Sequence, residues 1–338
     1  MTDDGGLTPS QVAAFHRDGY LIIPDALPPP TVAALLAETH RLLATLSLAD
    51  HPLTRFRTGG ASGRDHVGDA YFLTSGDQVR FFLEEAAFAP AGALLDPAAP
   101  PARLVNKIGH GLHLRSPPFA RLLRPPDDDD DDAGGGNKGH RAHPARVARA
   151  LGFRDPRCLQ SMIICKQPGV GGAVPPHQDS SFLHTRPPSA VGFWYALEDA
   201  TVQNGCLRFA PGSHRWAPVR TRLVRRRAGP GGDGEGTEMV ENEGPGFPPG
   251  EQYGEDKRAG MGEDDEVEYV PGEVKAGSLV LIHGNLLHKS ERNLSDKGRI
   301  IYTFHIIEWD GTEYDERNWL QPPKEGFTRL YTLEGVGP

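Results

Sequence analysis

The sequence predicts a mainly β fold in which two antiparallel sheets pack face to face, a sandwich or jelly roll, with helices flanking one sheet. Three observations carry this expectation. From residue 159 to 308 the apolar runs are short, rich in β-branched and aromatic residues, and not separated by helical patterns. Glycine and proline, at 41 and 31 residues, are more abundant than a helical protein needs and suit a loop-rich β architecture. The clear helical patterns lie near the N-terminus, where they can buttress a sheet.

Taken in order, the chain first reads as a helix from Leu7-Thr8-Pro9 through Phe15 to about Asp18, with Pro9 in its first turn and Gly19 ending it. Tyr20-Leu21-Ile22-Ile23 is a short strand. Beyond Pro28-Pro29-Pro30, Thr31 is placed to cap a second helix with Val32, Leu35, Leu36, Leu42 and Leu43 near one face. Residues 50–70 read as loop. Tyr71-Phe72-Leu73 and Val79 to Leu83 read as a hairpin turning at Ser75-Gly76-Asp77, and Leu104 to His110 leads into a helix. The β block follows: strands from Leu159 to Cys165, over 177–182, from Val191 to Leu197, from Cys206 to Phe209, from Ser278 to His283 and from Arg299 to Glu308.

The 338 residues are long enough to bury a large core, and a single domain over 7–333 is expected. Two low-complexity segments, 125–139 and 228–268, read as disordered insertions. Consecutive aspartates repel one another, so the Asp127 to Asp132 run is solvated charge and not a metal site. The insertions also account for more than the whole net charge of -9, leaving a basic remainder that favours anionic or acyl-type small molecules over nucleic acid. Three cysteines without framework spacing point to unpaired thiols and a reducing compartment. No secretion signal or peroxisomal tripeptide is evident, and no apolar stretch approaches the roughly 20 residues that cross a bilayer. A cytoplasmic monomer with no membrane partner is the expectation.

His177-Gln178-Asp179 supplies an imidazole and a carboxylate two residues apart, which on one strand point to the same side while Gln178 points away. A second imidazole from a distant strand would complete a facial triad, the set that holds non-haem Fe(II) and leaves positions open. His288 and His283 both qualify. His288 is preferred because Ser290 lies on its face and Arg299 follows on the next strand, where Arg299, Ile301, Thr303 and His305 alternate with Ile300, Tyr302, Phe304 and Ile306. A buried guanidinium without an acidic neighbour needs an anion, and a planar fork with a serine hydroxyl matches the carboxylate of a 2-oxo acid. In a chain with 14 histidines an H-x-D tripeptide alone is weak, so the weight falls on the conjunction. The same triad would also hold zinc with a bound water as a hydrolase does, or serve a non-catalytic 2-oxoglutarate or iron sensor.

Several motifs, Lys166-Gln167-Pro168, Pro176-His177-Gln178-Asp179, Asn204-Gly205-Cys206-Leu207, Pro211-Gly212-Ser213-His214, His288-Lys289-Ser290 and Asn318-Trp319-Leu320-Gln321-Pro322, occur together in a known family. The chain resembles the phytanoyl-CoA dioxygenase family from about residue 7 to 333, apart from the two insertions. That resemblance implies a double-stranded β-helix (cupin-like jelly roll) and an Fe(II)- and 2-oxoglutarate-dependent dioxygenase that uses O2 to hydroxylate a small molecule, releasing succinate and CO2. It further implies that His177, Asp179 and His288 bind iron, that Arg299 and Ser290 bind the distal carboxylate of 2-oxoglutarate, and that Lys107, Met162, Gln178 and Trp194 line the co-substrate pocket. The primary substrate does not carry over.

Overall fold

The computed structural model describes residues 1–331 except 3–4, 57, 60–64, 91, 125–141, 227–234 and 250–266. From the N-terminus come α1 (Pro9–Asp18), β1 (Tyr20–Ile23), α2 (Pro29–Ala44), β2 (Arg55–Phe56), the short pair β3 (Thr58–Gly59) and β4 (Asp65–His66), α3 (Ala70–Leu73) and β5 (Val79–Glu84). Next are β6 (Val105–His110), α4 (Leu112–Arg115), α5 (Pro117–Arg121), α6 (Pro144–Ala150), β7 (Pro156–Lys166), β8 (Val174–His177) and β9 (Val191–Ala196). The chain continues through β10 (Leu207–Phe209), β11 (Thr221–Arg226), β12 (Gly236–Glu241), β13 (Val270–Gly272), β14 (Leu279–His283), β15 (His288–Ser290), β16 (Arg299–Glu308) and β17 (Thr328–Arg329).

Among the described residues the larger sheet has nine strands, ordered β1-β14-β9-β16-β7-β6-β5-β2 with β17 on β7, and a smaller sheet runs β13-β10-β15-β8. Period-two alternation divides the larger sheet between two cores. Phe193, Tyr195, Tyr302 and Phe304 join a cluster with Phe15 of α1, Leu35 of α2 and Phe119 of α5. The alternate residues Trp194, Ala196 and Ile301 pack instead against Leu207 and Phe209 of the smaller sheet. The expected two-sheet architecture with helices outside one sheet is what the chain adopts.

Four local expectations are corrected. Thr31 does not cap α2; Pro28 is the N-cap, because prolines preset the helical φ and need no amide partner in the first turn. Tyr71 to Leu73 is helical, since Asp69 Oδ1 accepts the Phe72 amide at 2.8 Å and starts a turn there. The strand paired with β5 is therefore β6, so residues 105–110 are sheet and the helix starts only at Leu112. The segment 228–268 is not wholly irregular: β12 lies inside it and pairs with β11 from Thr221↔Glu241 to Arg226↔Gly236. The insertion 125–139 lies outside the described residues.

Candidate metal and co-substrate site

β8 and β15 are neighbours in the smaller sheet, and His177 stands directly opposite His288. β8 is an edge strand, which is where Pro175 and Pro176 can sit without leaving ladder acceptors unmet. The strand expected over 177–182 ends at His177, and Asp179 opens a 3-10 turn through Ser181. The two side chains still converge, because the Ser180 amide donates to Gly284 O at 2.9 Å and ties that turn to the β14–β15 connection. Gln178 borders the same cavity, but its side-chain nitrogen is turned to backbone carbonyls. Its amide donates to the carbonyls of Ala217 and Asn285 at 2.8 and 2.7 Å, so this side chain braces the turn.

Ligand atoms of His177, Asp179 and His288 lie within 4.8 Å of one another. Each histidine sets its Nδ1 against a backbone carbonyl, Pro175 O at 2.9 Å and Leu286 O at 3.0 Å. A carbonyl only accepts, so Nδ1 carries a proton in each ring, which leaves Nε2 as the nitrogen available to a metal. Asp179 Oδ1 is 3.6 Å from His177 Nε2 and 3.8 Å from His288 Nε2. Burial and the neighbouring His288 push His177 down to about 4, leaving it neutral at pH 7. Burial opposes ionisation of Asp179, but His305, His288 and His177 outweigh it and hold the carboxyl well below its ordinary range. Two imidazoles and a carboxylate on one side are the donor set of a 2-His-1-carboxylate iron site. His283 is elsewhere: its Nδ1 accepts the Asn285 amide at 3.0 Å and its ring packs 4.8 Å from His214.

Arg299 and Lys166 face each other across β16 and β7 as a directly opposed cation pair, both almost fully buried. Like charges opposed in a sheet repel, and burial adds a desolvation cost. Burial drives Arg299 down to about 10; burial and Arg299 drive Lys166 down to about 7. Lys166 spends its three protons on Gly172 O at 2.8 Å, Ser290 Oγ at 3.0 Å and Glu291 O. Ser290 thus accepts from Lys166, and its own proton is free for an anion. Arg299 Nη1 donates to Gly205 O at 2.7 Å, while its buried Nε has no hydrogen-bond partner. This orphaned nitrogen, on the same cavity as the Ser290 hydroxyl, fits a carboxylate. Trp194 lies under the guanidinium, 5.5 Å from ring centre to Cζ.

Lys107 and Met162 join the same cavity, which has a volume of about 830 Å³. The Lys107 ammonium sits 3.1 Å from the Phe56 ring centre and 3.9 Å from Met162 Sδ, and burial pushes it down to about 7. Sequence reasoning missed Lys166, Gln160 and Glu84. The signal for the first two was present: residues 160, 162, 164 and 166 alternate on one face of β7, so accepting Met162 implied its neighbours. Glu84, a buried carboxyl raised by desolvation, carried no such signal.

A profile of the phytanoyl-CoA dioxygenase (PhyH) family matches residues 15–301. Phytanoyl-CoA dioxygenase domain-containing protein 1 of Bos taurus is 39% identical over 331 residues, covering 96% of this chain and 99% of that protein. The Danio rerio protein of the same name is 37% identical over 329 residues, with 96% and 99% covered. Phytanoyl-CoA dioxygenase of Arabidopsis thaliana is 34% identical over 320 residues, with 95% of each covered. Among solved structures, apo EctD from S. alaskensis superposes with a TM-score of 0.56 at 20% identity, covering 98% of this chain and 87% of EctD. The non-haem α-ketoglutarate-dependent epimerase SnoN gives 0.53 at 17% identity, covering 95% and 98%. At those identities the two structures attest the jelly-roll fold, whereas the sequence matches run nearly end to end. The chain therefore belongs to the phytanoyl-CoA dioxygenase family of 2-oxoglutarate-dependent oxygenases.

Proposed function

We propose that this chain hydroxylates a small molecule with an apolar body, using Fe(II), 2-oxoglutarate and O2 and releasing succinate and CO2. The observation that carries the reading is the buried Lys166–Arg299 pair, with an unpartnered guanidinium nitrogen, on the same cavity as the His177, Asp179 and His288 triad. A zinc hydrolase would have no use for that pair. Bound Fe(II) and 2-oxoglutarate supply the oxidising chemistry. The chain supplies position. Nε2 of His177 and His288 and Oδ1 of Asp179 would hold the metal, and the Arg299 fork with the Ser290 hydroxyl would take the distal carboxylate. Trp194, at the Arg299 guanidinium, excludes water beside that carboxylate, and Met162 with Lys107 lies farther along the same cavity.

The rest of the cavity favours an apolar guest. Phe72, Phe182, Leu183, Leu223, Met239 and Trp319 line it, from five separate stretches of chain. A chamber of this size suits a drug-sized ligand. Arg220 and Lys289 also line the cavity, Lys289 with Glu291 as its ion-pair partner at 3.0 Å.

The test is anaerobic addition of Fe(II) and then 2-oxoglutarate, watching for the weak visible charge-transfer band, followed by air and measurement of succinate. Band and succinate together are the expected result. If neither develops, a zinc hydrolase or a sensor becomes the better reading. A metabolite screen for a mass gain of one oxygen then identifies the substrate.

A further inference from the structure

Asp179 divides its two oxygens. Oδ1 faces the histidine ligands, whereas Oδ2 lies 3.1 Å from Nε2 of His305. Nδ1 of His305 lies 3.1 Å from the side-chain nitrogen of Gln160. An amide NH2 can only donate, so Nδ1 accepts and the single ring proton is on Nε2, where it is donated to Asp179. The opposite tautomer would set two lone pairs against each other. Gln160, His305 and Gly192 are opposed residues of β7, β16 and β9, forming one row across the larger sheet. A Cβ at 192 would stand 3.2 Å from His305 Nε2 and 3.5 Å from Asp179 Oδ2, so the glycine leaves just the space the contact needs. His305 is 7% and Gln160 3% exposed, which keeps water from replacing either partner.

We propose that His305, itself oriented by Gln160, is a positioning residue for the metal site: it occupies Oδ2 of Asp179 and turns Oδ1 toward the metal. The inference rests on the oxygenase reading, but its test does not use turnover. A carboxylate left without this partner could rotate or chelate through both oxygens. Either change disturbs a centre that must keep positions open.

Co(II) titrated into the metal-free protein, followed by its visible ligand-field bands, reads the effect directly. His305→Leu should lose about 10- to 100-fold in Co(II) affinity, the usual consequence of removing a ligand's hydrogen-bond partner. His305→Gln, which restores an N–H for Oδ2, should recover most of that loss, a rescue that a space-filling role would not give. Gln160→Leu leaves the imidazole but not its preferred tautomer, and should lose roughly threefold or more. Melting of the metal-free variants near the wild-type temperature shows that the fold is intact. Unchanged or tighter Co(II) binding by His305→Leu would overturn the proposal. If that variant does not fold, Gln160→Leu decides, and unchanged affinity there overturns it. Failure of the succinate assay with these affinity losses intact would sink the oxygenase reading alone.

Discussion

Arg299 shows how one residue can declare a ligand. Its Nη1 is spent on Gly205 O, its Nε is orphaned, and its cross-strand neighbour is another cation. A buried unpaired donor costs about 1–3 kcal/mol, more when charged, a cost that the proposed 2-oxoglutarate carboxylate would offset. Arg299→Ala should weaken 2-oxoglutarate binding by about a hundredfold or more, as loss of one member of a buried charge pair does. Co(II) affinity should stay within about threefold, because no metal ligand contacts the guanidinium. Isothermal titration with each ligand separates the two, and equal losses would place Arg299 in the metal scaffold instead. Ser290→Ala should follow the same pattern more weakly, since it removes one neutral donor worth about 1 kcal/mol. The placement of Arg299 and Ser290 on the cavity of the triad was legible because it rests on residue type and strand parity. Lys166 was missed although its parity with Met162 placed it on the same face; only its opposition to Arg299 lies in the strand register.

At the scale of elements, long strands were legible and short pieces were not. β16 was readable because ten residues alternate without interruption, with Ile300, Tyr302 and Phe304 toward the helices, Ile301 toward the smaller sheet and Thr303 on the cavity. Residues 71–73 misled because an aromatic triplet looks like a strand while the deciding residue, Asp69, precedes it. β12 was hidden by the glycine- and glutamate-rich composition around it. The connection after β14 carries a consequence for the site. Gly284 donates to Ala190 O at 2.7 Å and accepts from Ser180 at 2.9 Å, clamping the turn that presents Asp179. A Cβ there would meet Ser180 Oγ and would stand 2.6 Å from Ala190 O, a backbone atom that cannot step aside cheaply. Gly284→Ala should therefore cost about 1–3 kcal/mol of stability, as overpacking does, and lower metal affinity with it. Urea unfolding and Co(II) titration check both, and a variant as stable as wild type would show that the turn yields.

Over the whole molecule, sheet architecture was written in the sequence as periodicity, while the apolar chamber was not. Its wall is assembled from α3, residues 182–183, the β11–β12 hairpin and Trp319, pieces too short to carry a pattern. The same burial that shapes this interior sets its response to acid. His110, His113 and His283 are pushed down to about 3, about 4 and about 3, in each case chiefly by burial. They sit in different parts of the fold, against Ser75, Ser161 and the Asn285 turn. Unfolded, each imidazole takes up a proton near its ordinary value of about 6.5; folded, each stays neutral until far lower pH. Between those limits the unfolded chain binds more protons, so stability must fall as pH falls. At pH 5 the penalty is at most about 2 kcal/mol for each imidazole. The urea midpoint of the metal-free protein should accordingly hold between pH 7 and 8, then drop steadily from about pH 6.5 toward pH 4. A midpoint that stays level to pH 5 would mean that these three rings are already protonated, or hydrated, in the native state.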